Sequence, residues 1–123
     1  RNPAGEVLLV RKRGTDAFMQ PGGKLEPGEE ARTALARELH EELGLCIEGD
    51  RLRYLGRAEA PAANEPGVTV RAEIFAFHMD DPVVAQAEIA EAVWIDPADP
   101  STLVLAPLTR DHILPLALGK TAG

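Results

Sequence analysis

Three glutamates, Glu38, Glu41 and Glu42, close the stretch "GEEARTALARELHEELGL" at residues 28–45, which reads as a helix. At roughly 100° per residue their side chains fall in one arc about 100° wide. Ala31 and Ala34 share that arc one or two turns earlier, leaving room above the carboxylates. Like charges at these spacings cost about 0.2–0.5 kcal/mol per pair. Glu41 and Glu42 also sit at the negative end of the helix dipole. The helix contains no lysine, and Arg37, four residues before Glu41, cannot neutralise all three. A solvated acidic face is the ordinary reading of such a cluster, but here two penalties coincide. A divalent cation would relieve both, and Mg²⁺ or Mn²⁺ is the class that favours carboxylate oxygen.

Two other motifs fail on spelling. "HEELG" begins like the zinc-protease sequence H-E-x-x-H, but Gly44 stands where the second histidine belongs. "PGGKL" lacks the spacing of a phosphate-binding loop.

The elements that must position the glutamates follow from pattern. Leu35, Leu39 and Leu43 form the core stripe of a helix over about residues 29–43, with acidic residues in its first turn and Gly44 as its C-terminal cap. "VLLVRKR" (7–13) predicts a strand and "GTDAFMQPGG" (14–23) a loop. Residues 46–60 read as extended with a turn near Gly49-Asp50, and 61–67 as a loop. Residues 68–79 alternate with apolar residues on both sides, which predicts a central strand covered on both faces. "AVWID" (92–96) is a short strand, and 105–118 a closing helix interrupted or bounded by Pro115. The order predicts an α/β or α+β sandwich formed by one domain over 1–123. "RNPAGE" at the start reads as a hairpin turn, which needs a strand before it.

The chain has 123 residues, 45% of them hydrophobic and 27% charged, the values of a soluble domain with its own core. A net charge of −7 disfavours a nucleic-acid polymer as partner but not a small phosphorylated ligand held through a cation. The single cysteine, Cys46, suits a reducing cytoplasm, and no apolar run predicts a membrane span.

The stretch resembles the signature of the Nudix hydrolases, G-x5-E-x7-R-E-U-x-E-E-x-G-U, with U a bulky aliphatic. Gly23, Glu29, Arg37, Glu38, Leu39, Glu41, Glu42, Gly44 and Leu45 match it without a departure. The resemblance implies a Nudix-type α/β/α sandwich, with a mixed central sheet, one catalytic helix and a C-terminal helix. It implies that Glu38, Glu41, Glu42 and the backbone carbonyl of Gly22 hold Mg²⁺ or Mn²⁺. Glu29 would orient Arg37 through an ion pair, and Gly23 would permit a loop conformation closed to bulkier residues. The implied reaction is hydrolysis of a phosphoanhydride bond in a nucleoside diphosphate linked to another group. Flank and length favour a nucleoside triphosphate, as in MutT-like members. ADP-ribose or a nucleotide sugar, and a non-catalytic nucleotide-binding module, are the alternatives. Many relatives form homodimers.

The general base stays open among Glu88, Glu91 and a glutamate of the signature. Glu88, six residues before Trp94, has the favoured spacing. Lys24 is a candidate for phosphate. Arg11, Lys12 and Arg13 are further candidates, of which strand alternation puts at most two on one face. Phe18, Met19, Phe75 and Phe77 could line a pocket but read first as core. His40, His78 and His112 have no neighbours that complete a catalytic set.

Overall fold

Val7 to Val10 are four consecutive buried residues in β1 (Val7–Lys12), and a strand buried in this way must be covered on both faces. The computed structural model, which describes residues 1–22, 28–63, 65–100 and 103–119, shows what covers it. Leu8 and Val10 pack with Leu39 and Leu43 of helix α1 (Ala31–Leu43). Val7 and Leu9, on the other face, pack with Phe18 and Leu114. Leu39 and Leu43 are each only 1% exposed, and burying a leucine this fully stabilises by about 2 kcal/mol. That packing fixes the rotation of α1 and, with it, the direction of its glutamates.

β1 is the middle of a three-stranded sheet, β2-β1-β5, with β2 at Phe18–Met19 and β5 at Ile89–Ile95. Both pairings are antiparallel. The parallel component of the expected mixed sheet is one isolated bridge, Phe18 to Leu105. A second, two-stranded antiparallel sheet joins β3 (Arg53–Pro61) to β4 (Thr69–Ala76). Its inner residues Ala58, Ala60 and Ile74 pack on Leu108.

Several boundaries differ from the sequence reading. Phe18–Met19 pairs as a strand inside the expected loop, because Phe18 fills the core between β1 and Leu114. β5 starts at Ile89 rather than 92, where an irregular register near Arg11 and Lys12 lets the fully buried Ile89 pair with Lys12. The strand covered on both faces is β1, not the 68–79 segment: Val68 and Val70 are exposed. α1 begins at Ala31, so Glu29 and Glu30 precede it and its first turn carries no acid. The closing helix runs over 107–117, Leu105 being extended. Its middle, Thr109–Ile113, is a π-helical turn in which Leu114 N–H bonds the Thr109 carbonyl. Pro115 follows within the same helix, where it has no N–H to give to a preceding carbonyl.

Candidate active site

α1 ends where its sequence says it should. Gly44 adopts φ 69°, which glycine takes without strain, and its N–H bonds the His40 carbonyl at 3.0 Å. The last-turn carbonyls of Glu42 and Leu43 are then capped from outside the helix. Gln86 N–H reaches Glu42 O at 2.9 Å, and Val84 N–H reaches Leu43 O at 3.2 Å. The segment that precedes Glu88 is thereby laid across the end of the helix that bears the glutamates.

Those glutamates divide into two environments. Arg37 gathers Glu29, Glu38 and Glu41: Nε and Nη2 grip Glu29 in a fork at 2.8 and 3.0 Å, and Nη1 reaches Glu38 at 2.9 Å and Glu41 at 3.3 Å. This fork is a geometry only arginine offers. Glu42 lies apart. It is 6% exposed, and its Oε1 is buried without a hydrogen-bond partner. Burial first, then the charge of Glu38, push its carboxyl up to about 7. Lys12 and the Gly22 backbone amide pull the other way, and Glu88 adds a further push upward. These effects place Lys12, Gly22, Glu38 and Glu88 around one carboxyl group.

A cleft of about 770 Å³ opens beside them, lined among others by Lys12, Gly22, Ala34, Leu35, Phe77 and Trp94. Met19 and Phe75 also line it, whereas Phe18 is core. Ala31 and Ala34, the small residues expected on the glutamate side of α1, line this cleft.

The buried Oε1 of Glu42 has no donor, the charges of Glu38 and Glu88 act on the same carboxyl, and carboxylate oxygens are the donors hard divalent cations prefer. Among the described residues, no three acidic or histidine side chains have already converged as a finished metal site, and Arg37 engages both Glu38 and Glu41. A cation held by these two carboxylates would have to displace Arg37 from them.

The cationic candidates sort by strand face. Lys12 shares the α1 face with Leu8 and Val10. Arg11 lies on the opposite face, bonded to Glu91 at 2.8 Å and to the Thr15 carbonyl. Arg13 is exposed, with Nε on the Ala87 carbonyl at 3.3 Å. Of the three, only Lys12 lines the cleft. The signal was in the alternation: Leu8, Val10 and Lys12 are equivalent positions. Glu91 shares the far face with Arg11, while Glu88 is close enough to Glu42 to repel its charge. Gly23 and Lys24 lie outside the described residues. His40 is exposed and near Cys46, its Nδ1 3.8 Å from Sγ.

A pair of substitutions separates the two faces. Lys12→Ala is expected to raise the Glu42 pKa further, read by carboxyl NMR titration, because it removes a cation that favours the ionised form. Arg11→Ala should leave that pKa unchanged and cost no more than about 1 kcal/mol, since it breaks a surface pair.

Comparison with known proteins gives the same picture. An RNA pyrophosphohydrolase of Legionella pneumophila (strain Corby) is 50% identical over 44 residues, 36% of this chain and 25% of that protein. The chain thus matches about a quarter of the length of that relative. The solution structure of the E. coli ORF135 protein superposes with TM-score 0.64 at 29% identity, covering 95% of this chain and 80% of that one. The NUDIX domain of Shewanella oneidensis NrtR, crystallised with ADP ribose, superposes with TM-score 0.73 at 17% identity, covering 93% and 76%. The sequence model of the NUDIX domain matches residues 1–116. With that match spanning nearly the whole chain and the same fold recurring in these structures, the chain belongs to the NUDIX family.

Proposed function

We propose that this chain is a divalent-cation-dependent pyrophosphohydrolase that cleaves a phosphoanhydride bond of a nucleoside triphosphate. The observation that carries the reading is the buried, partnerless Oε1 of Glu42 beside Glu38, Glu88, Lys12 and the Gly22 backbone. A buried acceptor left unsatisfied costs about 1–3 kcal/mol, and a bound cation removes that cost. Glu38, Glu41, Glu42 and the Gly22 carbonyl would hold Mg²⁺ or Mn²⁺. When bound, the ion neutralises phosphate oxygens and acidifies the attacking water.

The chain's own groups do the rest. Lys12 takes a phosphate oxygen at the floor of the cleft. Glu88 accepts the proton of the attacking water, a role favoured over Glu91 because Glu91 is turned away with Arg11. Arg37 and Glu29 tie the start of α1 to its last turns. Trp94 and Phe77 offer apolar walls to the nucleoside.

The test is a hydrolysis screen with Mg²⁺ and Mn²⁺, products identified, over nucleoside triphosphates and their oxidised forms. ADP-ribose, nucleotide sugars, dinucleoside polyphosphates and 5′-triphosphorylated RNA belong in it, the last because the Legionella relative is named for RNA. Chelator-sensitive release of pyrophosphate from a triphosphate supports the reading. Turnover of ADP-ribose alone would replace the substrate. No turnover by a folded, cation-binding protein would favour a binding module.

A further inference from the structure

Ala87 has φ +54°, and no other non-glycine residue has positive φ among the described residues. Side chains with a Cβ resist this region. The residue sits second in a reverse turn closed by Ile89 N–H to the Gln86 carbonyl at 3.0 Å. On one side of the turn, Gln86 N–H holds the Glu42 carbonyl. On the other, the Glu88 carbonyl accepts from Arg13 N–H at 2.8 Å, and the Ala87 carbonyl accepts from Arg13 Nε at 3.3 Å. The turn is pinned at both ends, to α1 and to the end of β1. An unfavourable backbone conformation fixed so firmly is kept for what it positions.

We propose that Ala87 is a positioning residue: its left-handed backbone bends the chain between the end of α1 and β5 and so sets where Glu88 lies relative to the glutamate end of α1. This rests on the reading of Glu88 as the base. With the turn intact, the backbone of Glu88 is held in fixed relation to the main chain of Glu42, and the base keeps its reach to the attacking water. Misplacing such a group by about 1 Å lowers turnover by on the order of 100-fold without removing any substrate contact.

The discriminating substitutions are Ala87→Val, whose branched Cβ cannot follow φ +54°, and Ala87→Gly, which can. Ala87→Val is expected to lower kcat by about 100-fold with KM changed less than about threefold, and Ala87→Gly to restore kcat to within about threefold of the parent. Amide hydrogen exchange of the metal-free protein supplies the second readout. In Ala87→Val the Gln86 and Ile89 amides should lose protection by at least about tenfold, while the Leu9 and Val10 amides keep theirs. Unchanged protection at Gln86 and Ile89 overturns the proposal, as does lost protection with kcat intact. If the parent turns over no nucleotide, the hydrolase reading fails separately, and the exchange data alone decide whether Ala87 sets the turn.

Discussion

Glu42→Gln should lower turnover by on the order of 1,000-fold, about 4 kcal/mol of transition-state stabilisation, while making the metal-free protein more stable at pH 8. Both effects come from one carboxyl. Its folded pKa is raised from 4.5 to about 7, so the native state holds a proton that the unfolded chain has released. This one group's contribution to the stability of the metal-free protein is therefore fully present below pH 4.5 and is lost as pH rises through 7, by on the order of 3 kcal/mol. Glutamine removes that slope, although its buried amide leaves polar atoms unsatisfied and costs back about 1–3 kcal/mol. The net gain at pH 8, of order 1 kcal/mol, is a rise in Tm of about 4 °C for a domain of this size. Thermal melts in chelator from pH 5 to 9 should show a falling Tm for the parent and a flatter one for the variant. Cation binding should release about one proton at pH 6 and almost none at pH 9, read by calorimetry in buffers of different ionisation enthalpy. Parallel melting curves, or a glutamine variant with parental turnover, would sink the assignment.

Arg37→Ala has the next largest expected effect, and its signature is a split. The guanidinium touches Glu29, Glu38 and Glu41 at once, with side-chain exposures of 26% for Arg37 and 13% for Glu29. Removing it takes the two-pronged grip from the partly buried Glu29 carboxylate and leaves Glu38 and Glu41 to repel each other. Stability should fall by about 2 kcal/mol, less than the 3–5 of a fully buried pair. Turnover should fall about 100-fold as Glu29 and the start of α1 lose their tie. Affinity for Mn²⁺, however, should fall less than about tenfold, because the ion no longer displaces a competing cation from Glu38 and Glu41. Arg37→Lys should not rescue turnover, since an ammonium cannot fork. Loss of turnover and Mn²⁺ affinity in strict proportion would show that Arg37 does not compete for these carboxylates.

What was legible in the sequence was what side-chain pattern encodes. The Leu35, Leu39, Leu43 stripe locates α1 and its inward face, and Gly44 marks its end. The glutamate spacing picks out the candidate site, and the Arg37 to Glu29 pair, which the family resemblance implies, is present. Elements held together by main-chain bonds were not legible. β2 is two residues long and is defined by pairing with β1 and Leu105, so no period announces it. The π-helical turn at 109–113 has no letter of its own. Lys12 was within reach, since two buried positions before it set the face. It could not be singled out, because three adjacent cations look alike until one face of the strand is known to carry α1.

Segment 84–88 has a consequence for heritable variation. Apart from Ala85, which packs on the core, its hold on the site consists of main-chain groups: the N–H of Val84, the N–H and C=O of Gln86, and the C=O of Ala87 and Glu88. The side chains of Val84, Gln86 and Ala87 are exposed. At 84, 86 and 87 selection therefore acts on the path of the backbone more than on the letters, unlike at core-packed Ala85 and at Glu88. Substitutions should drift freely at 84 and 86, with proline barred at both because it lacks the N–H. At 87, glycine, asparagine and aspartate are the natural replacements for alanine. A segment that looks variable across relatives can still be as constrained as the glutamate helix it holds.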